Sequence, residues 1–196
     1  MDKVFGRYIN LASSKRRRKE MQEQFMQLGV MQFYKRFEAE TGDEYIAQKK
    51  NLKKGELGLW RSWLKLLNEE ANNLQDYEYL HILEDDAVLS NEFITLANNL
   101  NKWENKYDLL VTDMYVNPSI YGVFDSTYKS LMSKRNIILT EKNYTGCTSS
   151  CLIPKNRIKK IRDLLKRYFE GNEKIIPIDN YLRKIDIDGA IKICCT

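Results

Sequence analysis

Two hydrophobic periods, one near two residues and one near 3.6, alternate along this chain, and the switches between them mark out its elements. Val4 to Ile9 is a short apolar run that reads as a strand, with a turn from Asn10 to Ser14 after it. Met21, Phe25 and Leu28 then recur at helical spacing, so a helix is predicted over Lys15 to Leu28, ended by Gly29. Gln32 to Phe37 is a second strand. Ala39 to Lys54 is polar, lacks a period and reads as a loop. Glu56 to Glu70 is helical, with Leu57, Trp60, Leu64 and Leu67 facing inward. Tyr79 to Leu83 is apolar throughout, the pattern of a strand covered on both faces.

A helix over Asn91 to Trp103 turns Phe93, Ala97 and Leu100 inward, and a strand follows over Tyr107 to Thr112. Cys147 to Ile153 is the next strand. Pro154 then opens a helix with Ile158, Ile161, Leu164 and Leu165 inward. Between them, Asn117 to Ser133 shows no readable period. The aromatics Tyr115, Tyr121, Phe124 and Tyr128 around it suit packing or stacking on sugar rings. Strands alternating with helices predict an α/β sandwich built on a mostly parallel sheet.

Length and composition narrow this picture. A chain of 196 residues, 43% hydrophobic, is enough for one domain with a sizeable core. No apolar run is long enough to cross a bilayer, and the opening MDKVFGRYIN lacks a signal-peptide stretch, so a cytoplasmic protein is expected. Cys147, Cys151, Cys194 and Cys195 are then expected to be free, buried thiols. Their spacing and the single histidine, His81, give little support to a zinc site. The formal charge of +5 is concentrated: Lys155 to Arg167 holds seven cations against Asp163, a local +6. Such a helix face suits solvent or an anionic membrane surface, and no nucleic-acid-binding motif accompanies it.

Candidate chemistry begins at Glu84, Asp85 and Asp86, which follow the Tyr79–Leu83 strand directly. Ligands of open α/β sheets bind beyond the carboxyl ends of strands. Clustered carboxylates there suit a hard divalent ion, Mg²⁺ or Mn²⁺, and equally a solvated turn or the start of the next helix. By strand alternation Glu84 and Asp86 point one way and Asp85 the other. Lys15, Arg16, Arg17 and Arg18 open a helix, where cations oppose the helix dipole unless an anion sits close by. A nucleotide diphosphate is one such anion.

Several blocks, in order, resemble glycosyltransferase family 25, the lipooligosaccharide galactosyltransferase family. They are Ile9-Asn10-Leu11 with Arg17 and Met21, Arg36-Phe37-x-Ala39-x-x-Gly42, Gly55-Glu56-Leu57-Gly58 with Ser62, Ile82-Leu83-Glu84-Asp85-Asp86 with Phe93, and Pro177-Ile178-Asp179. The resemblance implies a GT-A-like nucleotide-sugar-binding fold, a UDP-sugar donor (usually UDP-galactose) and a divalent metal. By that analogy Glu84 and Asp86 contact the donor ribose and the metal-diphosphate unit, and Asp85 supports them or shares the metal. Asn10, Leu11 and Arg17 would lie near the nucleotide, with Glu56 and Ser62 at the sugar pocket.

Two positions depart from the family: Ala12 stands where an acid is frequent, and Trp63 where histidine is usual. The sequence also stops soon after Ile193, before the late metal ligand that such enzymes often carry, so a C-terminally truncated single domain over 1–196 is expected.

An inverting transfer needs a base for the acceptor hydroxyl. Asp179, after the apolar approach Ile175 to Ile178, is the candidate, with a helix N-cap near Asn180 as its structural alternative. Asp113, at a strand end, is a second candidate. The expected function is metal-dependent transfer of a sugar from UDP onto a lipooligosaccharide or other surface glycan, at the inner face of the cytoplasmic membrane. The alternatives are a catalytically inactive binding protein of the same fold, for a glycan or anionic partner, and a nucleotidyltransferase.

Overall fold

The computed structural model describes residues 1–103, 105–113, 140–141 and 146–196. The segment from Tyr115 to Ser133, with its aromatics, lies outside the described residues. Within them the order is β1 (Val4–Asn10), α1 (Lys15–Gln27), β2 (Tyr34–Glu38), α2 (Glu44–Lys49), α3 (Lys54–Glu70), β3 (Tyr79–Glu84) and α4 (Asn91–Ala97). There follow β4 (Leu109–Val111), β5 (Thr140–Glu141), β6 (Ser150–Pro154), α5 (Ile158–Gly171), α6 (Ile178–Ile187) and β7 (Ile193–Cys195).

The strands form one sheet in the order β2-β1-β3-β6-β4-β7-β5. β1 runs parallel to β2 and β3, and β4 to β7, while β6 is antiparallel to β3 and β4. β5 is antiparallel to β7. Five strands therefore share one direction and two oppose it, an α/β arrangement with a mostly parallel sheet, as expected.

Helices bury both faces. α3 and α5 cover one side, where Trp60 and Trp63 are fully buried. Trp60 sets the local packing: its indole N–H donates to the Ile176 carbonyl at 2.9 Å, and Tyr168, Phe169 and Tyr181 close around its ring. The other side holds Met21 and Phe25 from α1 and Phe93 from α4. Each fully buried side chain of this size contributes roughly 1.5–3 kcal/mol of transfer free energy.

The inward-facing positions match the helical period with local differences. Met21 and Phe25 are buried, while Leu28 caps α1 and is partly exposed, with Gly29 beyond it at φ +66°. In α3, Leu64 is partly buried, and Trp63 and Leu66 are more deeply placed. The predicted helix over Asn91 to Trp103 divides into α4 and a 3-10 turn, Leu100–Trp103. The predicted strand from Cys147 begins at Ser150 instead.

The predicted loop over Ala39 to Lys54 contains α2. Asp43 caps that helix by accepting from the Ile46 N–H at 2.9 Å. Six residues with a single buried side chain, Ala47, are too few to show a period.

The four cysteines are thiols rather than disulfides, and all but Cys147 are buried. Burial raises the Cys151 thiol well above its ordinary range and Cys195 to about 12, as suits packing rather than reactivity. Among the described residues no helix is long and apolar enough to cross a membrane.

Candidate active site

The carboxyl ends of β1 and β3 and the N-termini of α1 and α3 enclose a cleft of about 570 Å³. Six of the residues expected at the site line it: Leu11, Arg17, Glu56, Ser62, Glu84 and Asp85. They come from three blocks of sequence, and the sheet brings them together because β1 and β3 are parallel neighbours that end side by side. A second cavity, about 220 Å³ beside Tyr77, Tyr79 and Lys155, holds none of the expected site residues.

Asn10 lies beneath the cleft, 1% exposed. Its amide donates to Asp85 Oδ2 at 2.7 Å and to the Ser14 carbonyl at 3.2 Å. Its carbonyl oxygen accepts from Arg36 Nε at 3.0 Å. Asn10 thus ties the turn before α1 to the acids after β3. Arg36 completes this bracket, although the sequence reading placed it in a motif without a role.

Arg17 donates to Asp85 Oδ1 at 2.8 Å and approaches Asp86 Oδ2 at 3.3 Å. The bond to Asp85, then the charges of Asp85 and Asp86, raise its pKa further. This pairing answers the conflict between α1's opening cations and the helix dipole. Arg16 pairs instead with Glu20 along the solvated face, as does Lys19 with Glu23.

The expected alternation of the three acids stops at Glu84. β3 ends there, and the chain turns back with the Ala87 N–H donating to the Glu84 carbonyl at 3.1 Å. Asp85 and Asp86 therefore share Arg17 instead of pointing apart, and Asp85 joins Glu84 on the cleft wall. Asp86 is exposed and lies outside that wall. Glu84 accepts from the Thr148 hydroxyl at 2.7 Å. Burial raises its pKa, the Thr148 bond opposes the rise, and the charges of Asp86, Asp85 and Asp179 add to it.

Two expected sugar-pocket residues have structural duties. The Glu56 carboxylate reaches back to the Lys53 N–H at 2.7 Å, closing the first turn of α3. The Ser62 hydroxyl donates to the Gly58 carbonyl and accepts from the Glu40 N–H, both at 2.8 Å. It braces the 39–42 wall against α3. The approach is closest at the glycines: a Cβ on Gly58 would stand 2.8 Å from the Glu40 carbonyl oxygen, and one on Gly42 would overlap that of Lys54. Trp63 points into the core and is not among the lining residues.

Asp179 sits in the first turn of α6, whose cap position is Pro177, so the predicted N-cap near Asn180 is corrected. The chain enters α6 two residues earlier than expected because Pro177 suits the helix start. The Asp179 Oδ2 lies 3.4 Å from where a Gly146 Cβ would stand, on the turn leading into β6. Asp113 follows β4 and accepts from the Ser149 hydroxyl at 2.5 Å. Thr148 and Ser149 were missed as site residues because a T-S-S run carries no periodic signal.

The acids supply hard oxygen donors suited to Mg²⁺ or Mn²⁺, and a cation would relieve the crowding of charge at Glu84. Among the described residues no group of three or more acids, cysteines or histidines is arranged as a metal site. An ion at Glu84 and Asp86 would therefore take its other ligands from phosphate oxygens and water, as Mg²⁺ commonly does.

No curated protein matches this chain significantly. The profile of glycosyltransferase family 25, described as LPS biosynthesis proteins, matches residues 5–182, from β1 into α6. That span takes in every block that forms the cleft, and the chain belongs to glycosyltransferase family 25.

Proposed function

We propose that this glycosyltransferase moves a sugar, galactose by family preference, from a UDP-sugar onto a lipooligosaccharide or related surface-glycan acceptor. The observation that carries the reading is the cleft itself. Its volume suits a small organic ligand, and Arg17 stands at a helix N-terminus, paired with Asp85 and Asp86. A nucleotide diphosphate beside Asn10, Leu11 and Arg17 would meet a guanidinium and the positive end of the α1 dipole together. Glu56 and Ser62 would border the sugar.

Glu84 and Asp86 are the residues that would hold a divalent ion. When bound, such an ion supplies charge neutralisation to the departing diphosphate. The chain's own part is proton transfer and orientation. The acceptor oxygen bonds to the anomeric carbon, the bond from that carbon to the UDP oxygen breaks, and UDP leaves with the electron pair. The acceptor hydroxyl proton passes to the Asp179 carboxylate, which lies against Gly146 and near enough to Glu84 for its charge to act on that acid. Attack from the face opposite UDP inverts the anomeric centre.

The test is thermal unfolding with UDP, with and without Mn²⁺. At a ligand concentration of about a hundred times Kd, the melting temperature should rise by roughly 5–10 °C. No shift with either ligand combination overturns the donor reading. In transfer assays Asp179→Asn should lower kcat by about a hundredfold or more while folding intact. Transfer near the wild-type rate removes Asp179 as the base.

A further inference from the structure

The turn that leads into β6 touches three acids from three different elements. Thr148, 3% exposed, donates its hydroxyl to Glu84 Oε1 at 2.7 Å, and the Ser149 carbonyl accepts from the Glu84 N–H at 2.8 Å. The Ser149 hydroxyl reaches Asp113 after β4, and Gly146 lies against Asp179 of α6. The backbone is unusual here: Gly146 has φ +121°, and Cys147, a non-glycine, has φ +88°. A residue with a side chain holds that conformation when its surroundings over-determine it, and such strain concentrates at functional sites.

We propose that Thr148 is a positioning residue of the transfer site: its buried hydroxyl holds the Glu84 carboxylate in the orientation that donor binding requires. The inference rests on the reading of Glu84 as a donor contact. Packing alone would not call for threonine at this place, because valine fills the same volume without a hydroxyl. A largely buried carboxylate, by contrast, needs a donor to keep one oxygen fixed, leaving the other free to face the cleft. The Thr148 bond meets that need. Asp85 and Asp86 are held by Arg17 and Asn10, so Glu84 is the acid of the cluster that depends on this turn.

The experiment measures UDP binding calorimetrically, in the presence of Mn²⁺, for five proteins: wild type, Thr148→Val, Thr148→Ser, Glu84→Gln and the Thr148→Val/Glu84→Gln double variant. Thr148→Val should weaken binding by about tenfold or more, the size expected for a lost hydrogen bond to a charged group. Thr148→Ser, which keeps the hydroxyl, should bind within about threefold of wild type. Thr148→Val should add little to the loss caused by Glu84→Gln, since both act through one contact. If Thr148→Val does not fold, Thr148→Ala removes the same hydroxyl without added bulk and takes its place. The positioning role is overturned if the valine variant binds like wild type, if serine loses as much as valine, or if the two losses multiply. In each of those outcomes wild-type binding stands and the donor reading survives. An absence of UDP binding by the wild type overturns both.

Discussion

At the scale of single residues, the most consequential polar side chain outside the cleft is His81, fully buried in the centre of the sheet. Its Nδ1 meets the Tyr34 hydroxyl at 2.7 Å, its Nε2 meets the Ser150 hydroxyl at 2.9 Å, and Phe93 stacks on its ring. Ser150 passes the chain on to Thr112 at 2.5 Å. Burial lowers the His81 pKa to about 3 from the ordinary 6.5. The native state therefore keeps the ring neutral where the unfolded chain would protonate it. The sign follows: stability is fully present above pH 6.5 and is lost as pH falls toward 3, by about 1.4 kcal/mol per pH unit for this one group. Urea unfolding of wild type and His81→Gln between pH 6.5 and 4.5 checks this. The wild-type stability should fall more steeply with acid, and parallel curves would refute it. From the sequence, His81 was visible as the single histidine, which gave little support to a zinc site. The partners that satisfy both ring nitrogens come from positions 47 and 69 residues away, which no local pattern reports.

At the scale of elements, two glycines of the family blocks, Gly42 and Gly58, have a physical reason that appears when the backbones meet. Glycine inside a helix costs roughly 0.5–1 kcal/mol relative to alanine, so propensity alone would favour Gly58→Ala. The added Cβ would stand 2.8 Å from a backbone oxygen that has no rotamer to move away, and overpacking of that kind costs about 1–3 kcal/mol. The clash wins. Gly58→Ala should lower unfolding stability by about 1–2 kcal/mol and weaken UDP binding by shifting the 39–42 wall. Gly55, in the same helix, has nothing within 4 Å of its would-be Cβ. Gly55→Ala should be neutral or stabilising by up to about 1 kcal/mol in the same denaturation assay. Equal losses in both variants would refute the close-approach account. The helices themselves were legible wherever apolar residues repeated over three turns or more, as in α1, α3 and α5. Short α2 was read as a loop, and the helix at α4 was read from the right start but carried too far, because such boundaries depend on capping and on what the next segment packs against.

At the scale of the whole molecule, the excess of positive charge is less free than its count suggests. Arg157 and Lys160 pair with Asp108, Arg162 with Asp163, and Lys166 with Glu170. Lys159, Lys166 and Arg167 remain exposed on α5. For a transferase acting on a lipid-linked glycan, this face is proposed to rest on anionic headgroups, each cation near the surface contributing up to about 1 kcal/mol. Flotation should show binding to vesicles containing anionic lipid, lost at high salt and absent with neutral vesicles. A protein that stays in the unfloated fraction at low salt sinks this idea.

What the sequence by itself determined was most of the longer elements, through hydrophobic period, and the membership of the chain in its family, through the order of five short blocks. It also named most of the residues that meet at the cleft. The tertiary structure decided how those residues are used. Arg17 spends its charge on Asp85 and Asp86, Ser62 braces two backbones, Glu56 closes a helix turn, and Thr148 fixes Glu84. It also decided the strand order, with β6 running against its neighbours. The reason is the same throughout. Periodicity is a property of neighbours along the chain, whereas hydrogen bonds and strand pairing join residues dozens of positions apart. Their partners are selected by geometry that exists once the core has packed.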